Sequence, residues 1–158
     1  MRSVVLNAII AAAAGLLASC SDWTLNSDVK NADLALTLAQ GEARYGKPIN
    51  RSELLALPGL ESALAQRGRQ VKASVSQQLR DPTDPIWGEV WTPDLVTICG
   101  TVNGRNAYGA YAGSEVFYST DGETARLAGS PQFKASEAQA CQNRTDPRLI
   151  LRGDNPQR

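Results

Sequence analysis

The chain has 158 residues, with 16 basic side chains balanced by 16 acidic ones, no histidine, and a pI near 6.3. This balance leaves no basic surplus for a dedicated nucleic-acid or anionic-membrane surface. The lack of histidine removes Ser-His-Asp and Cys-His catalysis, His-ligated zinc and the usual general base near neutrality, and the length suits one compact domain.

The N-terminus opens with Met1-Arg2, followed over residues 4–18 by an apolar run broken only by Asn7. Such a run is shorter than the roughly 17–25 residues of a membrane span and fits the core of an export signal. It ends in Leu17-Ala18-Ser19-Cys20, which resembles a bacterial lipobox: a leucine, two small residues, and the cysteine that becomes the first mature residue. The resemblance implies a signal peptide over 1–19 and acylation of the Cys20 thiol, which tethers the protein to a membrane. Ser21 at the sorting position implies the outer membrane, facing the periplasm, and Asp22 stands one place later. Residues 20–30 are polar and small and read as a tether.

Helices are expected next. Residues 33–45 are rich in Ala and Leu, with Leu34 and Leu38 one turn apart and Gly46 and Pro48 as a stop. Asn50 and Glu53 have capping-box spacing for a short helix to Leu57. Over 60–80, Leu60, Leu64, Val71, Val75 and Leu79 form one stripe if Gly68 occupies the missing turn. Either another element approaches at Gly68 or the helix breaks there.

After Asp81-Pro82 the texture changes to strands, expected over 86–91, 95–102, 105–112, 115–120 and 123–127. Asp121-Gly122 predicts a type I′ hairpin, with Asn103-Gly104 as a second candidate. A short helix is expected over 133–141, and the polar tail 146–158 holds one apolar triplet, 149–151, that could add an edge strand. Helices first and antiparallel strands second predict an α+β fold, one domain over 31–145 with helices covering a small antiparallel sheet. Outside the cytosol Cys99 and Cys141 are expected to pair, stapling the C-terminal segment to the sheet.

Two segments carry a family resemblance. Leu79, Arg80, Asp81, Pro82 and Trp87 form the first; Cys99, Gly100, Val102, Asn103, Asn106, Tyr108, Gly109, Tyr111 and Gly113, with Phe117 downstream, form the second. Together they resemble a group of small, functionally unassigned bacterial and phage exported proteins, many of them lipoproteins. Asp84-Pro85, Trp87 and Ala110 depart from that group's usual residues, and Gly104 stands where relatives often carry Ala. The resemblance implies a fold and an envelope setting, and no reaction.

The second segment has two physical readings. Asn103 and Asn106 could lock a bulged turn by bonding local backbone; alternatively Arg105, Asn106, Tyr108 and Tyr111 form a binding surface for a polar polymer or partner protein. A third reading concerns residues 87–91, where strand alternation places Trp87, Glu89 and Trp91 on one face. A carboxylate between two aromatics suits a glycan hydrolase, which also needs a second acid such as Asp94 or Glu115. The leading expectation is a non-enzymatic, lipid-anchored envelope module that binds an envelope protein or glycan, with no cofactor, no metal and no nucleic-acid partner. A phage- or plasmid-encoded surface lipoprotein acting in exclusion or lysis control is the alternative.

Overall fold

The computed structural model describes residues 27–142 and 147–153. The expected signal segment, Cys20 and the first part of the tether lie outside the described residues. Helix α1 spans 27–44, so residues 27–30, expected in the tether, are helical. Its inward stripe is Ala32, Leu36 and Gln40, whereas Leu34 and Leu38 face outward. Helix α2, Arg51–Leu55, stops short of the expected Leu57. Its cap is the Asn50 side chain, which accepts from the Glu53 amide at 3.4 Å and donates to the Glu53 carboxylate at 3.0 Å. Gly59, at φ 78°, lets the chain turn against the α1 backbone; a Cβ there would come within 2.7 Å of Asp28 and Val29 backbone atoms.

Helix α3, Leu60–Ser76, runs unbroken through Gly68. The open question at that glycine is resolved by packing: a Cβ would lie 2.9 Å from Ile150 and 3.1 Å from Leu151. The strand carrying these two residues presses on the helix there. Ala32, Leu36, Leu54, Leu60, Ala63, Leu64 and Leu95 form the core shared by the three helices and the sheet rim.

Five strands follow: β1 Ile86–Thr92, β2 Ile98–Asn103, β3 Glu115–Ser119, β4 Arg126–Leu127 and β5 Arg148–Leu151. They form one sheet in the order β4-β3-β2-β1-β5, every neighbouring pair antiparallel. Between β4 and β5 lie α4, Ala135–Ala138, and a 3-10 turn over Gln139–Gln142, in place of the single helix expected over 133–141. The fold is therefore α+β, and the apolar triplet 149–151 supplies the edge strand beside β1.

Several strand expectations are corrected. Residues 95–97 belong to a turn and not to β2: Thr92 Oγ1 accepts from the Leu95 amide at 2.8 Å, and Asp94 Oδ1 accepts from Val96 and Thr97 at 3.0 and 2.6 Å. Leu95 adopts φ 75° there, and its side chain is buried in the helical core. Residues 105–112 form no strand, only one bridge between Arg105 and Tyr111. Of residues 123–127 only Arg126–Leu127 pair. The Asp121-Gly122 turn is a longer loop in which only Gly122 has positive φ, because Asp121 Oδ1 accepts from the Glu123 and Thr124 amides at 2.9 and 2.7 Å.

The largest correction lies in β1. A register shift between Trp87 and Val90 inserts a bulge, which reverses the inside-outside parity of the strand. Trp87 and Val90 pack toward α3 with Ile98, Val102, Phe117 and Leu127. Trp91 instead joins Cys99, Tyr118 and Cys141 on the opposite face. The disulfide Cys99–Cys141, with Cα atoms 5.7 Å apart, is buried there beneath Phe133 and Ala138. Closing a 42-residue separation restricts the unfolded chain by about 4 kcal/mol on the loop-entropy model.

Candidate functional site

The two sequence segments singled out above come together in space. Leu79 leaves α3 and packs into the core, and Gly104 lies over it; a Cβ at 104 would sit 3.1 Å from Leu79 Cδ2. Trp87 pairs with Val102 and meets Phe117 edge to face at 6.1 Å. Gly100 leaves the space that the Phe117 ring fills, since a Cβ there would overlap the ring. These residues form one packing unit under the β2–β3 hairpin.

Beyond that unit the hairpin ends in a tight turn. Asn103 Oδ1 accepts from the Gly113 amide at 3.0 Å, and the Ala112 amide donates to the Gly104 carbonyl at 3.2 Å. Asn106 closes the tip. Its Oδ1 accepts from the Tyr108 and Ala110 amides at 2.9 and 3.1 Å, while its own amide donates to the Ala110 carbonyl at 2.8 Å. Gly109, at φ 76°, completes the reversal. The Asn103 and Asn106 side-chain oxygens are thus bound to backbone.

Arg105 and Tyr111 brace the flank of this turn. Asp84, in the connection between α3 and β1, receives a charge-assisted bond from Arg105 Nη2 and a bond from the Tyr111 hydroxyl at 3.0 Å. The same hydroxyl donates to the Asp84 carbonyl at 3.2 Å, and the Arg105 guanidinium lies 5.1 Å from the Tyr111 ring centroid. The Tyr111 hydroxyl, with the Asp84 and Asp81 charges behind it, holds the Arg105 guanidinium above its ordinary pKa, against desolvation. Asp81 is held below the usual carboxylate value, chiefly by the hydroxyl and then the amide of Thr83, at which it starts a turn.

Of the four residues expected to form a binding surface, the structure therefore places Arg105, Asn106 and Tyr111 in the scaffold of the loop. Tyr108 alone projects, 94% exposed at its summit. Asp84 is the member that the sequence reading missed. It is 21 residues from Arg105, and an exposed Asp between two turn prolines carries no signal of that partnership.

The carboxylate-aromatic cluster of β1 does not form. The bulge sends Trp87 and Trp91 to opposite faces, and Glu89 stands exposed on the strand between them. Beside Trp91 lies a shallow apolar groove of about 280 Å³, lined by Trp91, Val116, Phe133, Ala138 and Cys141. Among the described residues no three His, Cys, Asp or Glu side chains gather as a metal site, and no helix is long and apolar enough to cross a membrane.

No family model, curated protein or solved structure matches this chain. The class that fold and site define is thus architectural: a disulfide-stapled α+β domain with a stiffened hairpin tip.

Proposed function

We propose that this protein is a lipid-anchored lipoprotein of the bacterial envelope, seated in the outer membrane and facing the periplasm. It works without catalysis, by presenting the β2–β3 tip to an envelope protein or glycan. The display of Tyr108 carries this reading. A large amphipathic ring stands free on a turn whose backbone Asn106 closes and whose flank the Arg105–Asp84–Tyr111 brace secures. Such preorganisation lowers the ordering cost of binding, and tyrosine offers contact area at small rotamer cost. The address is supported by Leu17-Ala18-Ser19-Cys20 and by the Cys99–Cys141 bond, which belongs with an oxidising compartment.

The test replaces Tyr108 by a photo-crosslinking amino acid in the full chain, in membranes of the producing cell, with exposed Glu123 replaced likewise as a control. A discrete adduct at 108 and none at 123, lost from co-purification with Tyr108→Ala at an unchanged melting temperature, is the expected result. Identical patterns at both positions overturn the binding surface. Cys20→Ala should move the protein from the membrane to the soluble fraction; retention in the pellet overturns the anchor.

A further inference from the structure

The helical layer carries an exposed apolar stripe that the core of the described residues does not use. Leu34 is 58% exposed, Leu38 62% and Tyr45, just past the helix end, 87%. At spacings of four and seven residues they follow one line along α1. The helix cannot roll them inward. Ala32 and Leu36 are locked in the core on the other side, and Arg67 of α3 grips the α1 backbone and side chains at Asp33, Thr37 and Gln40.

The chain's connectivity limits how far a lipid anchor at Cys20 can stand from this helix. Ser27, where described α1 begins, follows Cys20 by seven steps of the chain, so the thiol lies within about 25 Å of the helix start even with the link fully extended. That reach is comparable to the length of α1 itself, about 27 Å for residues 27–44. A bilayer that holds Cys20 is therefore held close to α1.

Resting on the lipid-anchor reading above, we propose that α1 lies along the bilayer surface, with Leu34, Leu38 and Tyr45 in the headgroup–acyl boundary. Lys30 and Arg44 are exposed around the stripe, placed to reach the phosphate layer while their stems stay with the lipid. Glu42 beside it is paired with Lys47 at 3.5 Å, and Glu53 is bonded to Asn50. The contact is carried by apolar insertion and not by net charge, in keeping with a chain of formal charge zero. It supplies a second membrane contact and fixes the orientation of the domain on the bilayer.

The experiment uses the full lipidated chain in phosphatidylethanolamine–phosphatidylglycerol vesicles, with an environment-sensitive fluorophore on Leu38→Cys or, as control, on Glu123→Cys. Peptide mass spectrometry of Cys20 is read on the same samples. With Cys20 acylated, blue-shifted emission and quenching by doxyl-lipids at 38 but not at 123 is expected, both lost on adding Leu34→Asn and Tyr45→Ser. Aqueous emission at both sites overturns the proposal while leaving the anchor standing. A blue shift at 38 without lipid quenching, growing with protein density, overturns it in favour of a second copy covering the stripe. A Cys20 peptide without its diacylglyceryl thioether removes the anchor and the proposal with it.

Discussion

The guanidinium of Arg67 in the middle of α3 meets the carboxylate of Asp33 in α1, and that contact joins the two helices through residues 34 positions apart in the chain. Arg67 is only 5% exposed. It also donates to the Asp33 carbonyl and Thr37 Oγ1 at 2.7 and 2.6 Å and to Gln40 Oε1 at 2.7 Å. Gln40 passes the connection on, donating to the Val96 carbonyl at 2.7 Å, so α3, α1 and the β1–β2 turn share one polar network. Because Asp33 is half exposed, removing the arginine does not strand a fully buried charge. Arg67→Met is expected to cost about 2–3 kcal/mol, read as a lower denaturant midpoint with unchanged slope.

Replacing Cys99 and Cys141 together by Ala releases the loop constraint. Stability should fall by about 4 kcal/mol, measured by denaturant unfolding. The wild-type protein under reducing conditions should approach the same midpoint.

Two glycines predict opposite signs. Gly100→Ala drives a methyl into the buried Phe117 ring and should destabilise by roughly 1–3 kcal/mol. Gly41→Ala, in α1, meets nothing within 4 Å and replaces a poor helix former, so it should stabilise by about 0.5–1 kcal/mol. Thermal unfolding of the two variants beside the parent checks the contrast.

Around α4 the stability depends on pH at both ends of the scale. The Lys134 ammonium holds the Glu137 carboxyl below its ordinary value of 4.5, opposed by burial and helped by the Tyr118 hydroxyl. A depressed carboxyl stabilises the fold above its unfolded pKa, and that contribution disappears as pH falls below about 4.5 through the folded value. Burial pushes the Tyr118 phenol above its ordinary value of 10.0, so its contribution is full below that pH and is lost as pH rises beyond it. Tyr118→Phe deletes the hydroxyl that accepts from the Lys134 amide and donates to Glu137, each at 3.0 Å. It should lower stability by about 1–2 kcal/mol near neutrality and shrink the alkaline loss, as melting temperatures from pH 3 to 11 would record.

The candidate site was legible only in part. The Asn and Gly residues of 103–113 announce a turn because their chemistry is local: Asn106 bonds amides two and four residues away. The Arg105 and Tyr111 bonds to Asp84 reach back 21 and 27 residues. No spacing rule connects such positions, and two of the residues read as a surface are spent on the brace.

Local propensity and periodicity, carried by the sequence alone, determined the order of helices before strands and the position of most turns, and offered 149–151 as an edge strand; the pairing of Cys99 with Cys141 was expected from an oxidising compartment. Tertiary structure decided which face each residue serves. One extra residue between Trp87 and Val90 leaves no mark in composition, yet it sends the two tryptophans of β1 to opposite sides of the sheet. The glycine at 68 reads as a gap until β5 lies against it, and nothing in the spacing marks Arg67 beside it as the side chain that holds α1. Alternation and helical stripes are properties of neighbours in the chain, whereas register and burial are set by the partner across the contact.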